Sequence, residues 1–545
     1  MKLNKIISNR QYRIFLFLIP TFYFILSYYF NAIYGLFYFR SVDPEYAYFI
    51  SSLNIAMLKF RIGHIDHPGS PLQYIMALCF RLKYLFSSSD QSFVETALMH
   101  SESYLRTANL FLNLLLAIFL VFVGYKSYQL TSNFGFAALL QTTPFITQIT
   151  YDTLGRIVPE PVILFPVLLL SLLLIGILYG KYESDFFKTV LCFGLISGFT
   201  LSVKLTCLPL VFIPFIVISK WKNKLIYSGI TLISFLIFAI PVTVRINTFF
   251  RWGKSLFLHD GIYGGGGTDI INLQSFFPNM KSIVDENSFF FVLVFGLGLC
   301  TLVYFLMPRK DKNKDFLKIG VALIIAVLIQ LVMVGKHFGY RYFIPALFLY
   351  PIIVITAFKT ISLIFNIRNY TKISTCIIVM FLIITGFTQS NLIQKKATYL
   401  VEDNMKKLPL LQEVDKLEVN SVKLIIPRYS GSAAHEYAMF FSYAWAGGWD
   451  KAFYKEKIGG IYPDSYIYLS RDSKMYYFGQ PDLSRAFEKN IPIYLIAEES
   501  KKEDIDNSIN KLLEVTNFSG NGSPETIYQS QDLNAAIYRI KLEKK

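Results

Sequence analysis

The sequence predicts a polytopic α-helical membrane protein of about eleven transmembrane helices, followed by an extracytoplasmic α/β domain. Three observations carry that prediction. The chain has 545 residues, of which 54% are hydrophobic and 17% aromatic. Most of it is taken up by apolar runs of about 20 residues, each long enough to cross the hydrocarbon core. Beyond residue 391 the composition turns charged and polar, and short strand-like runs replace the long apolar ones. A β-barrel would show weaker, alternating segments and is excluded.

The elements follow in order. A basic flank (Lys2, Lys5, Arg10, Arg13) precedes an apolar run over 14–37. That run is too long for a signal-peptide core and reads as a retained anchor. Further spans are expected near 106–125, 133–150, 159–179, 187–203, 205–219, 225–245, 288–307, 319–335, 342–364 and 373–391. Only Val203-Lys204 separates the fifth from the sixth. With the N-terminus in the cytoplasm, the connections carrying Lys126, Lys181, Lys220, Lys222, Lys224, Arg309, Lys310 and Arg368 all fall inside. That obeys the positive-inside rule and puts the C-terminus outside. The outer face then holds the 38–105 loop, the 246–287 loop and the 392–545 domain, the region 1–391 being the transmembrane part. In the first loop, 44–60 and 71–86 read as helices lying along the interface. In the last region VKLIIP, SYIYLS, MYYFG, IPIYLIA and AAIYRIKL read as strands and KKEDIDNSINKLLEV as a helix.

The net charge is +16, from 53 Lys and Arg against 37 Asp and Glu. In a membrane chain such an excess orients basic loops and meets anionic lipid, so no nucleic-acid partner is expected. All five cysteines lie in apolar stretches without a CxxC pair, which argues against a disulfide framework or a zinc site. No GxSxG elbow, HExxH or dinucleotide fingerprint occurs.

Ionisable residues gather at the outer ends of spans. Asp43 and Glu45 follow the first anchor; a carboxylate there can accept a proton from an attacking group, or Asp43 can cap a helix starting at Pro44. His64, Asp66 and His67 precede Pro68-Gly69, with Ser70 as the expected cap of the next helix. His67 can face a phosphate. Glu160 sits between two prolines at a helix start. Lys204 either snorkels or meets a phosphate. In KHFGYRYFIP, Lys336, His337, Arg341 and Tyr342 cluster before a late span; the Arg fork suits phosphate oxygens, and an aromatic-basic interface anchor is the alternative. GIYGGGG reads as a loop able to cover a site.

Taken in order, DPEYAYF, DHPGSPLQYIMAL, LRTANLFLNLLLAIFL and HFGYRYFIP resemble motifs of the C-type membrane glycosyltransferases. The likeness is to the branch of protein O-mannosyltransferases and aminoarabinose transferases. Two departures stand out: Pro44 separates Asp43 from Glu45, and Gly69 stands where relatives carry a second proline. The resemblance implies an inverting transfer of a sugar from a polyprenyl-phosphate donor to an acceptor on the outer face of the cytoplasmic membrane. It implies Asp43, Glu45 or Glu160 as catalytic groups. His67, Lys204, Lys336, His337, Arg341 and Tyr342 would hold the lipid phosphate. It implies membrane lipids and an unspecified glycan, lipid or protein acceptor as partners. A divalent metal is allowed and no cofactor is demanded. The alternatives from other classes are a flippase for a lipid-linked glycan and a non-catalytic envelope assembly protein.

Overall fold

The computed structural model describes residues 14–544 apart from 66–67, 148–150, 152, 260, 262–264, 268–270, 308–313, 447–449, 480–481 and 531. Among them, six helices are long and apolar enough to cross a membrane: Ser101–Thr131, Glu160–Leu178, Ser288–Leu306, Lys314–Lys336, Tyr340–Phe365 and Tyr370–Asp415. Shorter apolar helices run over Leu18–Ile33, Phe187–Val203 and Leu205–Val217. The chain is a polytopic helical membrane protein with a mixed sheet near its C-terminus.

The chain divides into two compact units. The first comprises Met1–Tyr29, Ile65–Leu72 and Leu110–Lys395. Its helices meet through small residues and polar clamps, as expected where lipid removes the hydrophobic drive between helices. Gly194 and Gly198 lie four apart on Phe187–Val203. A Cβ on Gly198 would stand 2.5 Å from the Thr231 carbonyl oxygen, and one on Gly194 would stand 2.5 Å from Ile230, so helix Trp221–Phe238 packs backbone to backbone. Ser197 Oγ and the Tyr227 hydroxyl share a 2.8 Å hydrogen bond across that seam. Asn133 Nδ2 donates to Ser374 Oγ at 2.8 Å while its Oδ1 accepts from Thr375 Oγ1 at 2.9 Å.

Three expectations change in this unit. The span expected over 133–150 is a short helix, Phe134–Gln141, followed by a 3-10 turn at Thr143–Phe145. Residues 148–150 lie outside the described set. The helix of the last expected span does not stop near 391: it continues from Tyr370 to Asp415 through Pro409. Finally, the 246–287 loop contains two helices, Ile246–Leu258 and Leu273–Glu286, each with exposed large apolar residues such as Phe250, Phe257, Leu273 and Phe277.

The second unit comprises Phe30–His64, Gln73–Asn109 and Lys396–Lys545. Its strands are β1 (Val422–Ile426), β2 (Ser465–Leu469), β3 (Lys474–Tyr477), β4 (Ile493–Glu498), β5 (Gly520–Ser530) and β6 (Ala535–Lys544). They pair in the order β3-β2-β1-β4-β6-β5. β1 is parallel to β2 and to β4, and the outer pairings are antiparallel. β1, β2 and β4 are buried along nearly all their length, as flanked parallel strands are. The helix Lys502–Val515 lays Ile505, Ile509 and Leu512 on the sheet.

Helix Glu45–Ala56 belongs to this unit and does not behave as an interfacial helix. Every residue from Glu45 to Ile55 is buried. It packs against helix His435–Ala446, so protein takes the place that membrane interface would have held. Helix Ser70–Leu85 does keep an exposed apolar stripe, at Leu78, Leu82 and Leu85.

Candidate active site

In the first unit, three distant segments converge. Glu160 opens its helix behind Pro159, which fills the cap position without a side-chain bond. Lys204 follows the last turn of Phe187–Val203 in extended backbone. The two meet at 2.7 Å, Lys204 Nζ to Glu160 Oε1, with side chains 5% and 3% exposed. Two such charges taken out of water are tolerable only in close contact. Lys204 therefore does not snorkel. Its Nζ also stands 4.9 Å from the centre of the Tyr342 ring. Arg341 lies within electrostatic reach of the Glu160 carboxylate and is itself exposed. Tyr342 is fixed from behind, its carbonyl accepting 2.7 Å from Gln330 Nε2.

This cluster keeps spare hydrogen-bonding capacity. Glu160 Oε2 and Gln330 Oε1 are buried and have no hydrogen-bond partner among the described residues. A buried acceptor without a donor is costly, so such atoms mark where an incoming donor would be bound. Gln330 is not among the residues singled out from the sequence. The signal for Gln330 was present: one amide inside the apolar run IIAVLIQLVMVGK.

The Pro68-Gly69 turn is pinned to the same place. The Gly69 N–H donates 3.2 Å to the carbonyl of Val203, next to Lys204. Gly69 adopts φ +66°, a left-handed conformation that proline cannot reach. The departure from the Pro-Pro pattern therefore has a structural cause. Ser70 is the first helical residue, not the residue before the helix. Asp66 and His67 lie outside the described residues.

Lys336 and His337 bond to a different segment, the end of helix Ile246–Leu258 and the turn after it. Lys336 Nζ donates to the Phe257 carbonyl at 2.7 Å. The two His337 ring nitrogens face the carbonyls of Leu256 (2.9 Å) and Gly261 (3.1 Å). Both residues thus meet the C-terminal end of helix Ile246–Leu258, where carbonyls lack helical partners and cations are favoured.

In the second unit, Asp43 is exposed and Glu45 is fully buried. The helix after them begins at Glu45 and its cap position falls to Pro44, so Asp43 is not the cap. The segment before them is anchored by helix Ser101–Thr131. The Phe37 N–H donates to Glu102 Oε1 at 2.9 Å, and Arg106 donates to the carbonyls of Asn31 (2.8 Å) and Gly35. His64 is buried with its ring against Tyr48. Among the described residues, no group of three or more His, Cys, Asp or Glu is arranged to hold a metal ion.

No family model matches this sequence, and no curated protein matches it. Among solved structures, the chain is similar to ArnT from Cupriavidus metallidurans bound to undecaprenyl phosphate. The identity is 9% and the TM-score 0.47, over 96% of this chain and 97% of that chain. A likeness at that level identifies no reaction.

Proposed function

We propose that this protein is a C-type glycosyltransferase that moves a sugar from a polyprenyl-phosphate donor to a hydroxyl or amine acceptor on the outer face of the membrane, with inversion. One observation carries the reading. The proline-containing turn, the Glu160 helix start, Lys204 and the Arg341-Tyr342 turn meet in one polar cluster at the ends of apolar helices. Two of those segments, DHPGSP and HFGYRYFIP, carry the family resemblance.

The chemistry adds to this cluster a base taken from the family resemblance alone. Asp43 takes the proton of the acceptor, whose lone pair forms the new bond to the anomeric carbon. The bond from that carbon to the phosphate oxygen breaks, and the lipid phosphate leaves with the electron pair. Arg341 is the cation available to that leaving anion, because Lys204 is already matched by Glu160. Asp43 fits the base role better than Glu45, since only its carboxylate reaches solvent.

A flippase reading expects ionisable residues in the middle of spans. Here Glu160 begins its helix and Lys204 follows the end of one, which favours chemistry at the membrane rim. The test is incubation of the purified protein in lipid vesicles with a panel of polyprenyl-phosphate sugars and acceptors. Release of free polyprenyl phosphate is expected with one donor. Movement of intact donor across the bilayer without release would replace this reading with the flippase.

A further inference from the structure

We infer that the C-terminal sheet unit positions Asp43, with Arg428, Ser432 and Glu498 as positioning residues; this rests on the transferase reading for its catalytic part. The argument starts from sheet topology. The chain runs from β1 to β2 on one side of β1, and later to β4 on the other. A parallel sheet that reverses direction in this way opens a crevice at the carboxyl ends of the two diverging strands, the usual ligand position in open α/β sheets. Here the loop that leaves the carboxyl end of β1, beyond Ile426, bonds to the chain's own residues 38–42.

The grip is made of named bonds. Glu498 is 2% exposed and organises the loop after β1. Its Oε1 accepts from Ser432 Oγ (2.6 Å) and the Ala433 N–H (2.7 Å), and its Oε2 accepts from Arg428 Nε (3.1 Å). The loop then turns its remaining donors and acceptors onto the early segment. Arg428 Nη2 donates to the Phe39 carbonyl at 2.7 Å. The Ser432 N–H donates to the Tyr38 carbonyl at 3.0 Å, and the Val42 N–H donates to the Ser430 carbonyl at 2.8 Å. The last of these bonds ends one residue before Asp43.

The far side of Asp43 is held by the same unit. Tyr46, Ile50 and Asn54 recur every four residues, so they line one stripe of helix Glu45–Ala56. The Tyr46 hydroxyl is 3.2 Å from His435 Nε2. The Ile50 N–H reaches Ser442 Oγ at 3.3 Å. The Tyr454 hydroxyl donates to Asn54 Oδ1 at 2.7 Å. Beyond the helix, Lys59 pairs with Asp450 at 2.9 Å. An exposed carboxylate between two clamped stretches of backbone is the arrangement that fixes a reacting group without burying it.

Gly431 offers a surgical test. A Cβ there would stand 2.7 Å from the Tyr38 carbonyl oxygen and 2.9 Å from that of Phe39, both backbone atoms. Gly431→Ala therefore pushes on residues 38–39. Gly460→Ala, in the same unit, meets nothing within 4 Å and serves as the control. The full-length protein in lipid is compared by hydrogen exchange and by transfer kinetics. Gly431→Ala is expected to raise exchange over 38–46 and to lower kcat about 10–100-fold with little change in KM for the donor, as misplacement of a reacting group does. Gly460→Ala should leave both unchanged. Exchange that does not respond to Gly431→Ala overturns the grip. Exchange that responds while kcat stays at the wild-type value overturns the positioning role. Wild-type protein inactive with every donor overturns the transferase reading alone, since the exchange arm needs no turnover.

Discussion

Lys204 Nζ stands 2.7 Å from Glu160 Oε1, with both side chains almost wholly withdrawn from solvent. Removing one partner leaves the other charge buried and unmatched. Lys204→Met or Glu160→Gln alone should therefore destabilise the protein by about 3–5 kcal/mol. The double variant should recover much of that loss, because it buries no lone charge. Unfolding of the three variants in one detergent, followed by temperature or denaturant, checks the order.

Asp43 is exposed, and the Asn replacement keeps its shape, so the fold should survive the change. Asp43→Asn should lower transfer about 10²–10⁴-fold, the range for loss of a general base. Its melting temperature should match that of the parent. Glu45→Gln should instead show its main effect on melting, since Glu45 is wholly enclosed. Full transfer by purified Asp43→Asn protein would move the base elsewhere.

Arg341 is exposed and within electrostatic reach of Glu160, whose carboxylate is already in close contact with Lys204. Arg341→Ala should cost about 10²–10³-fold in turnover, as loss of one donor to a developing anion does. Arg341→Lys should restore only part of it, for want of the planar fork. Steady-state kinetics with a short-chain polyprenyl-phosphate sugar distinguish the two. Equal rates for all three proteins would remove Arg341 from the site.

Burial holds the His435 imidazole down from its usual 6.5 to about 4, with Glu436 opposing the shift and Lys423 adding to it. The neutral ring has partners on both nitrogens: Ser101 Oγ at 2.7 Å from Nε2 and the Tyr462 hydroxyl at 2.5 Å from Nδ1. A base whose folded pKa is depressed contributes stability that is complete above its unfolded pKa. That stability drains as pH falls from about 6.5 towards 4. Melting temperature should drop across this window, and His435→Gln should flatten the drop. A parallel loss in both proteins would assign it to other groups.

The helices were legible because a membrane span writes itself as a long apolar run; Phe187–Val203 has the very limits its sequence predicts. The sheet was legible except for β5. That strand contains Gly520, Asn521, Gly522, Ser523 and Pro524, all poor strand formers. It forms because it is an edge, where a proline lacking an N–H is tolerated against Ile540. Helix Glu45–Ala56 was misread because burial on all sides leaves no polar face to reveal the packing. In the site, Glu160 and Lys204 were each visible as ionisable residues beside apolar runs. Their pairing was not, since nothing local links positions 44 apart. The role of Tyr38 and Phe39 was invisible for the same reason: their contacts with Ser432 and Arg428 are made by backbone carbonyls, which every residue has.

Gly69 couples a left-handed backbone to a donated N–H, and both are forbidden to proline. Replacing Gly69 with proline would cut the tie to Val203 and twist the turn away from Lys204. Consensus-based stabilisation, which elsewhere replaces a lone glycine to advantage, should here produce a weaker protein. The turn and the Val203-Lys204 wall behind it thus act as one piece, and a change at either should be felt at the other.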